Sequence, residues 1–389
     1  MSACIVGWSH SKFGKHENDD LESLIAKVAV QAVEDAGLEP QDIDEIVLGN
    51  FNEGFSQQAF PASLVLQADD RFRYTRATRV ENACATGSAA LHLGIKSLRA
   101  KDARFVLCVG VEKMTALPNR DIGNILLKAS YVKDEADIEG GFAGVFGKIA
   151  ELYFQKYGDQ SDALAMIAAK NHKNGAVNPL AQMQKDLGYD FCRNASEKNP
   201  YVAGPLKRTD CSLVSDGAAA IVLADVETAL GMNKAVVFRA AEHVQDFLPM
   251  ARRDILEFDG CRLAWQGAHK QAGTSVKDLS LVETHDCFTI AELVQYEAMG
   301  LAKPGQAASV IKDGITQKDG KLPINASGGL KSKGHPIGAT GISMHIMASM
   351  QLLGQAGPMQ VANPKLAGVF NMGGAAVANY ASILEPLRG

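Results

Sequence analysis

Apolar residues recur along the chain with helix-like and strand-like spacing in turn, a pattern that predicts an α/β protein. A short apolar run from Cys4 to Val6 predicts a strand. Leu21 to Ala36 carries apolar residues at helical spacing and is followed by Gly37, which is typical of a helix and its C-terminal end. A buried-strand pattern follows from Ile43 to Leu48. The chain therefore opens with a strand, a helix and a second strand.

The same alternation surrounds Cys84. Arg73 to Val80 alternates β-branched and charged residues as a strand does, and small and apolar residues follow at helical spacing. Cys84 thus falls on a tight turn at a strand-to-helix junction, where unpaired backbone N–H groups and the helix dipole favour a thiolate. The alternative is a small buried cysteine that fills space among alanines and glycines.

The pattern of the first half returns 236 residues later in the chain. Matching residues at this one offset are Ala32, Ala36, Gly37, Asp42, Ile43 and Ile46 with Ala268, Ala272, Gly273, Asp278, Leu279 and Val282. A second echo pairs Ser215 to Ala224 with Met372 to Ala381, each a glycine turn that enters a strand of small and branched residues. Two similar α/β halves are the simplest account.

Between the halves, Ala116 to Pro205 mixes Gly, Asn, Lys and aromatic residues with helical pieces at Gly147 to Tyr157 and Ser161 to Asn174. We expect an inserted subdomain, so that the first half is discontinuous in sequence. The predicted domains are an N-terminal half at 1–115 plus 206–232, an inserted loop domain at 116–205, and a C-terminal half at 233–389. Such an insertion is a natural place for substrate selection.

Composition narrows the class of protein. At 389 residues and 47% hydrophobic content the chain can bury a large core. Its net charge of −5, without basic runs beyond two residues, argues against nucleic acid or a membrane surface as the main partner. Seven cysteines without CxxC spacing suit a reducing compartment rather than a disulfide or zinc framework. We expect a soluble, cytoplasmic protein without a metal site.

The second half contributes two more groups of reactive residues. His285 and Cys287 follow the strand Leu279 to Glu283, at the carboxyl edge where open α/β sheets assemble their sites. His335 lies in the glycine-dense stretch Asn325 to Gly341, where glycine implies close backbone approach or positive φ. A hydrogen-bonded loop histidine and a phosphate-cradling loop are the alternatives for that stretch, although it lacks both common phosphate-loop spacings.

A glycine turn from Phe370 to Ala376 could direct backbone N–H groups at a developing oxyanion, or merely pack against a helix. If the two halves pack with approximate two-fold symmetry, two cysteines and two histidines meet in one pocket. That set matches the needs of acyl transfer: a thiolate nucleophile, a base that generates it, a second acid/base and oxyanion donors.

At these residues the chain resembles the thiolase superfamily, in the branch typified by the thiolase domain of the peroxisomal sterol carrier protein. The resemblance is carried by Asn82 to Gly87, His285 to Phe288, Asn325 to Gly341 and the closing Gly373-Gly374. Ordinary thiolases have Asn-Glu-Ala-Phe where this chain has His-Asp-Cys-Phe, and Cys-x-Gly-Gly where it has Asn-Met-Gly-Gly. This paired departure indicates that the second thiol has moved to Cys287.

The resemblance implies two duplicated α-β-α halves, each around a mixed five-stranded sheet, stacked as five layers with an inserted loop domain over the site. It implies a homodimer or homotetramer. It also implies reversible Claisen condensation or thiolytic cleavage of a 3-ketoacyl-CoA, with acyl-CoA and coenzyme A as substrates and no bound cofactor or metal.

The resemblance also assigns roles to individual residues. Cys84 takes the acyl group and His335 is the base that activates it. Cys287 protonates the departing acetyl-CoA enolate or, in synthesis, removes the acetyl methyl proton. His285 polarises the thioester oxygen together with His335. The backbone N–H groups of Cys84 and Gly373 form the oxyanion hole.

For the phosphates of coenzyme A, the candidates are Lys207 and Arg208. Two other functions stay open. One is an aldol-type carbon–carbon lyase on the same fold, whose relatives exchange the nucleophilic cysteine or its histidines. The other is a partner-dependent or non-turnover acyl-CoA-binding subunit, because some members of this branch work with a small acyl-CoA-binding partner protein.

Overall fold

The computed structural model describes residues 3–388, in which strands and helices alternate as predicted. The strands are β1 (Ala3–His10), β2 (Glu45–Gly49), β3 (Arg76–Val80), β4 (Phe105–Glu112), β5 (Tyr201–Ala203), β6 (Leu206–Lys207), β7 (Gly217–Asp225), β8 (Ala235–Gln245), β9 (Leu281–Thr284), β10 (Ala367–Gly373) and β11 (Ala378–Arg388).

The helices are α1 (Leu21–Asp35), α2 (Thr86–Arg99), α3 (Asn119–Leu127), α4 (Val132–Glu135), α5 (Gly141–Tyr157), α6 (Ser161–Ala176), α7 (Gly188–Arg193), α8 (Val226–Ala229), α9 (Asp259–Ala272), α10 (Thr289–Ala298), α11 (Ala307–Lys312), α12 (Gly329–Lys333) and α13 (Ile337–Leu352). Among residues 3–388, no helix combines the length and the apolar character needed to cross a bilayer.

Within the described residues, nine strands form one mixed sheet in the order β3-β2-β4-β7-β1-β8-β11-β10-β9, and β5 pairs with β6 separately. β2 is parallel to β3 and β4, whereas β7 is antiparallel to β4 and β1. In the second half β9 is parallel to β10, and β11 is antiparallel to β10 and β8. The strand pairing that joins the two half-sheets is short: in the described chain β1 and β8 pair at Cys4 with Val237 and at Ile5 with Val236.

The two halves repeat one topology. In chain order β1, α1, β2, α2, β4 and β7 correspond to β8, α9, β9, α13, β10 and β11. The residues of the sequence repeat fall at equivalent places. Gly37 and Gly273 end α1 and α9 with φ of 73° and 68°, a left-handed conformation that favours glycine. The predicted duplication of the fold is confirmed.

The second half lacks the fifth strand that the resemblance implied. At the position equivalent to β3, the described residues form only a single parallel bridge, between Val282 and Ile324. Pro323 precedes Ile324 and has no N–H to extend the pairing, and Asn325 turns the chain away with φ of 56°. The prediction of five strands in each half is therefore wrong for the second half, whose sheet has four.

The central layer consists of α2 and α13, which pack against each other between the two half-sheets. α1 covers the outer face of the first half-sheet and α9 that of the second, which gives the predicted five layers. Gly87 and Gly341 allow close approach, since a Cβ on Gly87 would lie 2.9 Å from the Gly341 nitrogen. α13 begins at Ile337, so Gly338 and Gly341 lie within the helix. Its glycines serve helix packing rather than ending the helix.

The insertion lies between β4 and β7 and carries α3 to α7 with the β5–β6 ribbon. Its helices α5 and α6 pack against α10, and α6 also packs against α12, so the insertion contacts the second half. The predicted domain limits at residues 115, 205 and 232 fall in connections between elements. The division into domains itself stays a prediction.

Candidate active site

Cys84 lies on a tight turn between β3 and α2, where the sequence placed it. Ala83 has φ of 47°, a conformation that costs energy for a residue with a side chain. Thr86 holds the turn, because its hydroxyl accepts a hydrogen bond from the Asn82 N–H at 2.8 Å and donates to the Ala83 carbonyl at 2.6 Å. The Cys84 side chain is thereby presented from a rigid elbow and is only 3% exposed.

The protonation state of Cys84 in the resting protein differs from the expected thiolate. Burial raises the pKa of its thiol to about 12, and the carboxylates of Glu81 and Glu112 add to this rise. The N–H of Gly374 opposes it without reversing it. The expectation of a thiolate is therefore wrong for the resting protein, because burial penalises the charged form of the side chain. Cys84 rests as a thiol, and its reaction requires a base.

His335 can act as that base. It precedes α13 by the same two residues by which Cys84 precedes α2. Its Nδ1 lies 2.7 Å from the Thr340 hydroxyl, which itself donates to the Pro336 carbonyl at 2.9 Å. Nδ1 therefore carries the proton, and the buried Nε2 has a free lone pair. Burial and the charge of Lys333 lower the pKa of His335 to about 3, so the ring is neutral near pH 7.

His285 follows β9 and faces His335, with the two rings edge to face at a centroid distance of 5.1 Å. Its Nδ1 contacts Asn371, and its Nε2 is buried without a hydrogen-bond partner in residues 3–388. Burial and His335 lower the pKa of His285 well below the ordinary value. The Cys84 sulfur and one nitrogen from each ring lie within 4.8 Å of one another, a triangle that could also hold a metal ion.

Cys287 lines the same cavity as Cys84 and His335. Its carbonyl accepts a hydrogen bond from the Ser212 N–H at 2.8 Å, and its side chain is 3% exposed. Burial raises the pKa of the Cys287 thiol well above the ordinary value, with a further contribution from Cys84. The second cysteine is therefore also a thiol at rest and can act as a proton donor.

Asp286 anchors the glycine-rich loop beneath the site. Its carboxylate accepts hydrogen bonds from the Leu330 N–H at 2.7 Å and from the Asn171 amide at 2.8 Å. Gly329 has φ of 59°, and a Cβ there would lie 2.5 Å from the Asp286 Oδ1. Gly328 has φ of 94° and leaves no room for a side chain against the helix α6. The expectation that these glycines serve positive φ and close approach is confirmed.

The turn after β10 packs on the nucleophile elbow, since a Cβ on Gly373 would clash with the Asn82 carbonyl. Gly374, with φ of 61°, directs its N–H at the Cys84 sulfur. The sequence singled out Gly373 for the oxyanion hole and did not assign a role to Gly374. The doubled glycine was the available signal, but which N–H faces the sulfur depends on the turn.

Sequence reasoning missed Asn371 as a site residue. Its side-chain nitrogen lies 3.1 Å from the Cys84 carbonyl oxygen and 2.9 Å from His285 Nδ1. Its side-chain oxygen accepts a hydrogen bond from the Ser88 hydroxyl at 2.8 Å. The sequence marked Asn371 only as a departure from the usual cysteine, and no local pattern indicates these contacts.

The site opens into a cavity of about 350 Å³ whose walls are mostly apolar. The insertion and the segments beside it contribute Met114, Leu126, Phe142, Ala143, Val202, Leu213 and Val214, and the second half contributes Phe288. Phe146 lies behind this wall and stacks on the Phe288 ring at 4.5 Å. The cavity therefore suits an apolar chain that ends at the cysteines.

The two candidate cations for phosphate binding are separated by the fold. Lys207 is 2% exposed and its ammonium lies 3.1 Å from the Asp210 carboxylate, so it is held in a buried ion pair. Arg208 is exposed and lines the cavity. Of this pair, Arg208 alone is placed to meet a ligand.

Two family models match the chain, the thiolase N-terminal domain over residues 3–227 and the thiolase C-terminal domain-like model over residues 241–386. An acetyl-CoA acetyltransferase of Methanothermobacter thermautotrophicus is 35% identical over 375 residues, which cover 95% of this chain and 96% of the relative. Sterol carrier protein 2 of Bos taurus is 32% identical over 389 residues, which cover 95% of this chain and 69% of the relative.

Among solved structures, the Ltp2–ChsH2(DUF35) aldolase is similar with a TM-score of 0.84, and the match covers 100% of this chain and 98% of that chain. The sequence identity is 22%, so the likeness concerns the fold alone.

Proposed function

The chain belongs to the thiolase family and is an acyltransferase of the thiolase type, and we propose that it makes and cleaves 3-ketoacyl-CoA through an acyl group carried on Cys84. The observation that carries this proposal is the meeting of Cys84, His285 and His335 within 4.8 Å, with Cys287 in the same cavity. The acetyl-CoA acetyltransferase relative supports acetyl-CoA as one substrate. The reaction needs both cysteines, because one carries the acyl group while the other moves the proton.

In cleavage, His335 Nε2 takes the proton of the Cys84 thiol, and the thiolate attacks the 3-keto carbon. The tetrahedral intermediate collapses with rupture of the bond between C2 and C3, which leaves an acyl-cysteine and the enolate of acetyl-CoA. Cys287 gives its proton to the enolate carbon and becomes a thiolate. Both thiols are protonated at rest, as this sequence of proton transfers requires.

In the second step a coenzyme A thiol gives its proton to the Cys287 thiolate and attacks the acyl-cysteine. The Cys84 thiolate leaves and recovers its proton from the His335 imidazolium, so both cysteines and the histidine return to their starting states. Condensation is the same sequence in reverse. Each proton transfer then runs backwards between the same donor and acceptor.

Developing negative charge on oxygen is met by fixed N–H groups. For the tetrahedral intermediate on Cys84 we assign the N–H groups of Cys84 and Gly373, with Gly374 beside the sulfur. For the enolate oxygen we assign His285 and His335. Each such donor contributes about 3 kcal/mol to lowering the barrier in comparable sites.

For coenzyme A, we assign Arg208 at the cavity mouth to the anionic part of the substrate, and the apolar walls to the acyl and pantetheine chains. Lys207 is not part of this assignment, because its ammonium is already paired with Asp210.

Intact-mass spectrometry after incubation with acetoacetyl-CoA tests the proposed function. We expect an acetyl adduct that maps to Cys84 and disappears when free coenzyme A is added. Cys211→Ala is the matched control, because Cys211 lines the same cavity and the pKa of its thiol is likewise raised to about 12. An adduct that maps to Cys211 or to Cys287 would overturn the assignment of the nucleophile.

For assembly we propose a cytoplasmic homodimer or homotetramer. β3 supports this proposal, because it is an edge strand of the sheet with exposed residues along its length. Tyr74, just before β3, is 86% exposed. Light scattering during size-exclusion chromatography measures the oligomer directly, and a monomer at micromolar concentration would contradict the proposal.

A second candidate function is catalysis that depends on a small acyl-CoA-binding partner. The specific observation in its favour is that the similar aldolase structure combines Ltp2 with a DUF35 protein, ChsH2. Turnover by the isolated chain separates the two candidates. Cleavage of acetoacetyl-CoA without any addition supports the independent enzyme, whereas formation of the acyl-enzyme without turnover supports the partner.

A further inference from the structure

Asn371 lies between the nucleophile elbow and His285, and its contacts fix the orientation of its amide. One end of the amide faces the Cys84 carbonyl oxygen at 3.1 Å. A carbonyl oxygen only accepts hydrogen bonds, so the end that faces it is the NH₂ group. The other end then is the oxygen, which accepts from the Ser88 hydroxyl at 2.8 Å.

The same NH₂ group lies 2.9 Å from His285 Nδ1, and its second hydrogen points there. Nδ1 can receive that hydrogen only if it carries none of its own. The ring proton of neutral His285 therefore sits on Nε2, whereas His335 holds its proton on Nδ1 against Thr340. The two rings face each other with opposite tautomers, one presenting an N–H and the other a lone pair.

We propose that Asn371 is a positioning residue that locks His285 in the Nε2–H form, so that His285 donates to the substrate oxygen while His335 accepts the Cys84 proton. The inference rests on the proposed function for its effect on catalysis, but the tautomer can be measured without turnover. It also gives Asn371 a task at the position where ordinary thiolases carry their second cysteine.

The packing around Asn371 leaves the amide no freedom to turn. The side chain is fully buried, and both of its N–H groups and its oxygen have a hydrogen-bond partner. Gly341 lies against it, since a Cβ on that residue would be 2.5 Å from the Asn371 oxygen. A reversed amide would place its oxygen against the Cys84 carbonyl oxygen, and both atoms would lose a bond in a buried site.

The locked tautomer decides what the triangle of Cys84, His285 and His335 can bind. With a bare Nε2 on both histidines, three ligand atoms within 4.8 Å would form a metal site of the Cys-His-His type. The proton on Nε2 of His285 blocks one of the three ligands. The N–H instead faces the place where a thioester oxygen becomes an enolate oxygen, where a donor lowers the barrier.

The direct test is ¹⁵N NMR of the wild-type protein labelled at its histidine rings, with His285→Gln and His335→Gln to assign the two residues. We expect an Nε2–H pattern for His285 and an Nδ1–H pattern for His335 at pH 7. An Nδ1–H pattern for His285 would overturn the proposal, even if the enzyme were fully active.

The second test compares Asn371→Asp with Asn371→Ala. A carboxylate at this position accepts from Nδ1–H, so it favours the tautomer with a bare Nε2. We expect condensation by Asn371→Asp to fall about 100-fold, while acylation of Cys84 by acetyl-CoA changes less than about tenfold. Asn371→Ala lacks the carboxylate, so it should retain more condensation activity than Asn371→Asp.

Cobalt(II) supplies a readout that a purely structural role would not change. Asn371→Asp should bind cobalt with a thiolate charge-transfer band that Cys84→Ala in the same background removes, and wild type should bind at least about tenfold more weakly. Equal cobalt affinity of wild type and Asn371→Asp, or equal losses of acylation and condensation in both Asn371 variants, would refute the positioning role. If neither variant folds, the NMR pattern decides alone.

Discussion

The two halves of the molecule share one topology but use equivalent strand ends for different purposes. In the first half, Asn50 follows β2 and donates to Glu112 at the end of β4, at 2.9 Å. In the second half, His285 follows β9 and accepts from Asn371 near the end of β10, also at 2.9 Å. The first pair is bonded to the backbone around it, through the Val111 carbonyl and further N–H donors to Glu112, whereas the second leaves one ring nitrogen of His285 open to the substrate.

The pair of Asn50 and Glu112 supports the site that contains the pair of His285 and Asn371. Glu112 accepts four N–H groups, from Asn50, Phe51, Asn52 and Gly338. Gly338 lies in the first turn of α13, three residues after His335. The first half thus anchors the start of the helix that follows the second half's base. In a duplicated fold, one copy of an edge can become a scaffold while the other becomes the reaction site.

The largest effect is expected from the removal of Cys84, the reactive residue of the first half. Cys84→Ala should abolish the acyl-enzyme and reduce thiolysis by at least about 10⁴-fold, because it removes the sulfur that lies within 4.8 Å of a nitrogen of both histidines. Mass spectrometry and a thiolysis assay measure the two effects. Cys211→Ala should retain both activities, and residual acylation of Cys84→Ala would show a second nucleophile.

The next largest effect is expected from the removal of Cys287, the thiol of the second half. Cys287→Ala should keep acylation of Cys84 by acetyl-CoA, since that step does not form an enolate. Condensation and cleavage should fall by about 10²- to 10⁴-fold, the usual contribution of a positioned acid/base. Acetyl exchange and acetoacetyl-CoA cleavage are measured on the same preparation. Condensation at the wild-type rate would refute the role of Cys287 in moving the proton.

A smaller effect comes from breaking the scaffold rather than the chemistry. Glu112→Gln places an NH₂ group against two of the four N–H donors, and we expect a loss of about 1–3 kcal/mol in the free energy of unfolding. Glu283→Gln is the matched control in the second half, since within residues 3–388 that carboxylate accepts hydrogen bonds from Ser327 alone. The Glu283→Gln variant should lose less free energy of unfolding than Glu112→Gln.

Wild type and Glu112→Gln also test how the free energy of unfolding depends on pH. Burial raises the pKa of Glu112 from 4.5 to about 7, so the folded protein holds this proton more tightly than the unfolded chain. The wild type therefore loses stability relative to Glu112→Gln as the pH rises from 4.5 to 7. Urea unfolding at pH 4.5 and 7 should show a narrowing gap between the two proteins. A gap that widens would contradict the raised pKa.

The smallest expected effect separates backbone strain at the site from strain elsewhere. Ala83 and Lys101 both have positive φ, of 47° and 57°, at opposite ends of α2. Ala83→Gly and Lys101→Gly should each raise the free energy of unfolding by up to about 1 kcal/mol. Only Ala83→Gly should lower kcat, by a few-fold, because it loosens the elbow. Equal kcat values for both variants would show that the strain does not position Cys84.

Local pattern was enough to predict much of the fold and the reactive residues that the fold brings together. The repeat at 236 residues correctly indicated two equivalent halves, because glycines that end helices and apolar strands are set by local geometry. The motif around Cys84 correctly indicated an elbow before a helix. The resemblance to thiolases is confirmed by family models that span both halves.

The misses have a common physical cause. Three features depend on burial or on segments that are distant in sequence. They are the protonated state of the Cys84 thiol, the ion pair of Lys207 and the hydrogen bond between Asn371 and His285. Ile324 makes a single bridge rather than a strand because proline precedes it and the glycine-rich loop follows. A local pattern carries propensity, but it does not carry the desolvation that these neighbours impose.

The amino-acid sequence by itself determined the α/β elements, the duplication and the reactive residue types, because these follow from spacing and backbone preference within short segments. Only the tertiary structure decided which atoms of those residues are available for chemistry. Asn371 and Cys84 are 287 positions apart, yet one hydrogen bond between them orients the amide that sets the tautomer of His285. Such a choice exists only where two halves of a fold meet and exclude water, since there each polar group must find a partner.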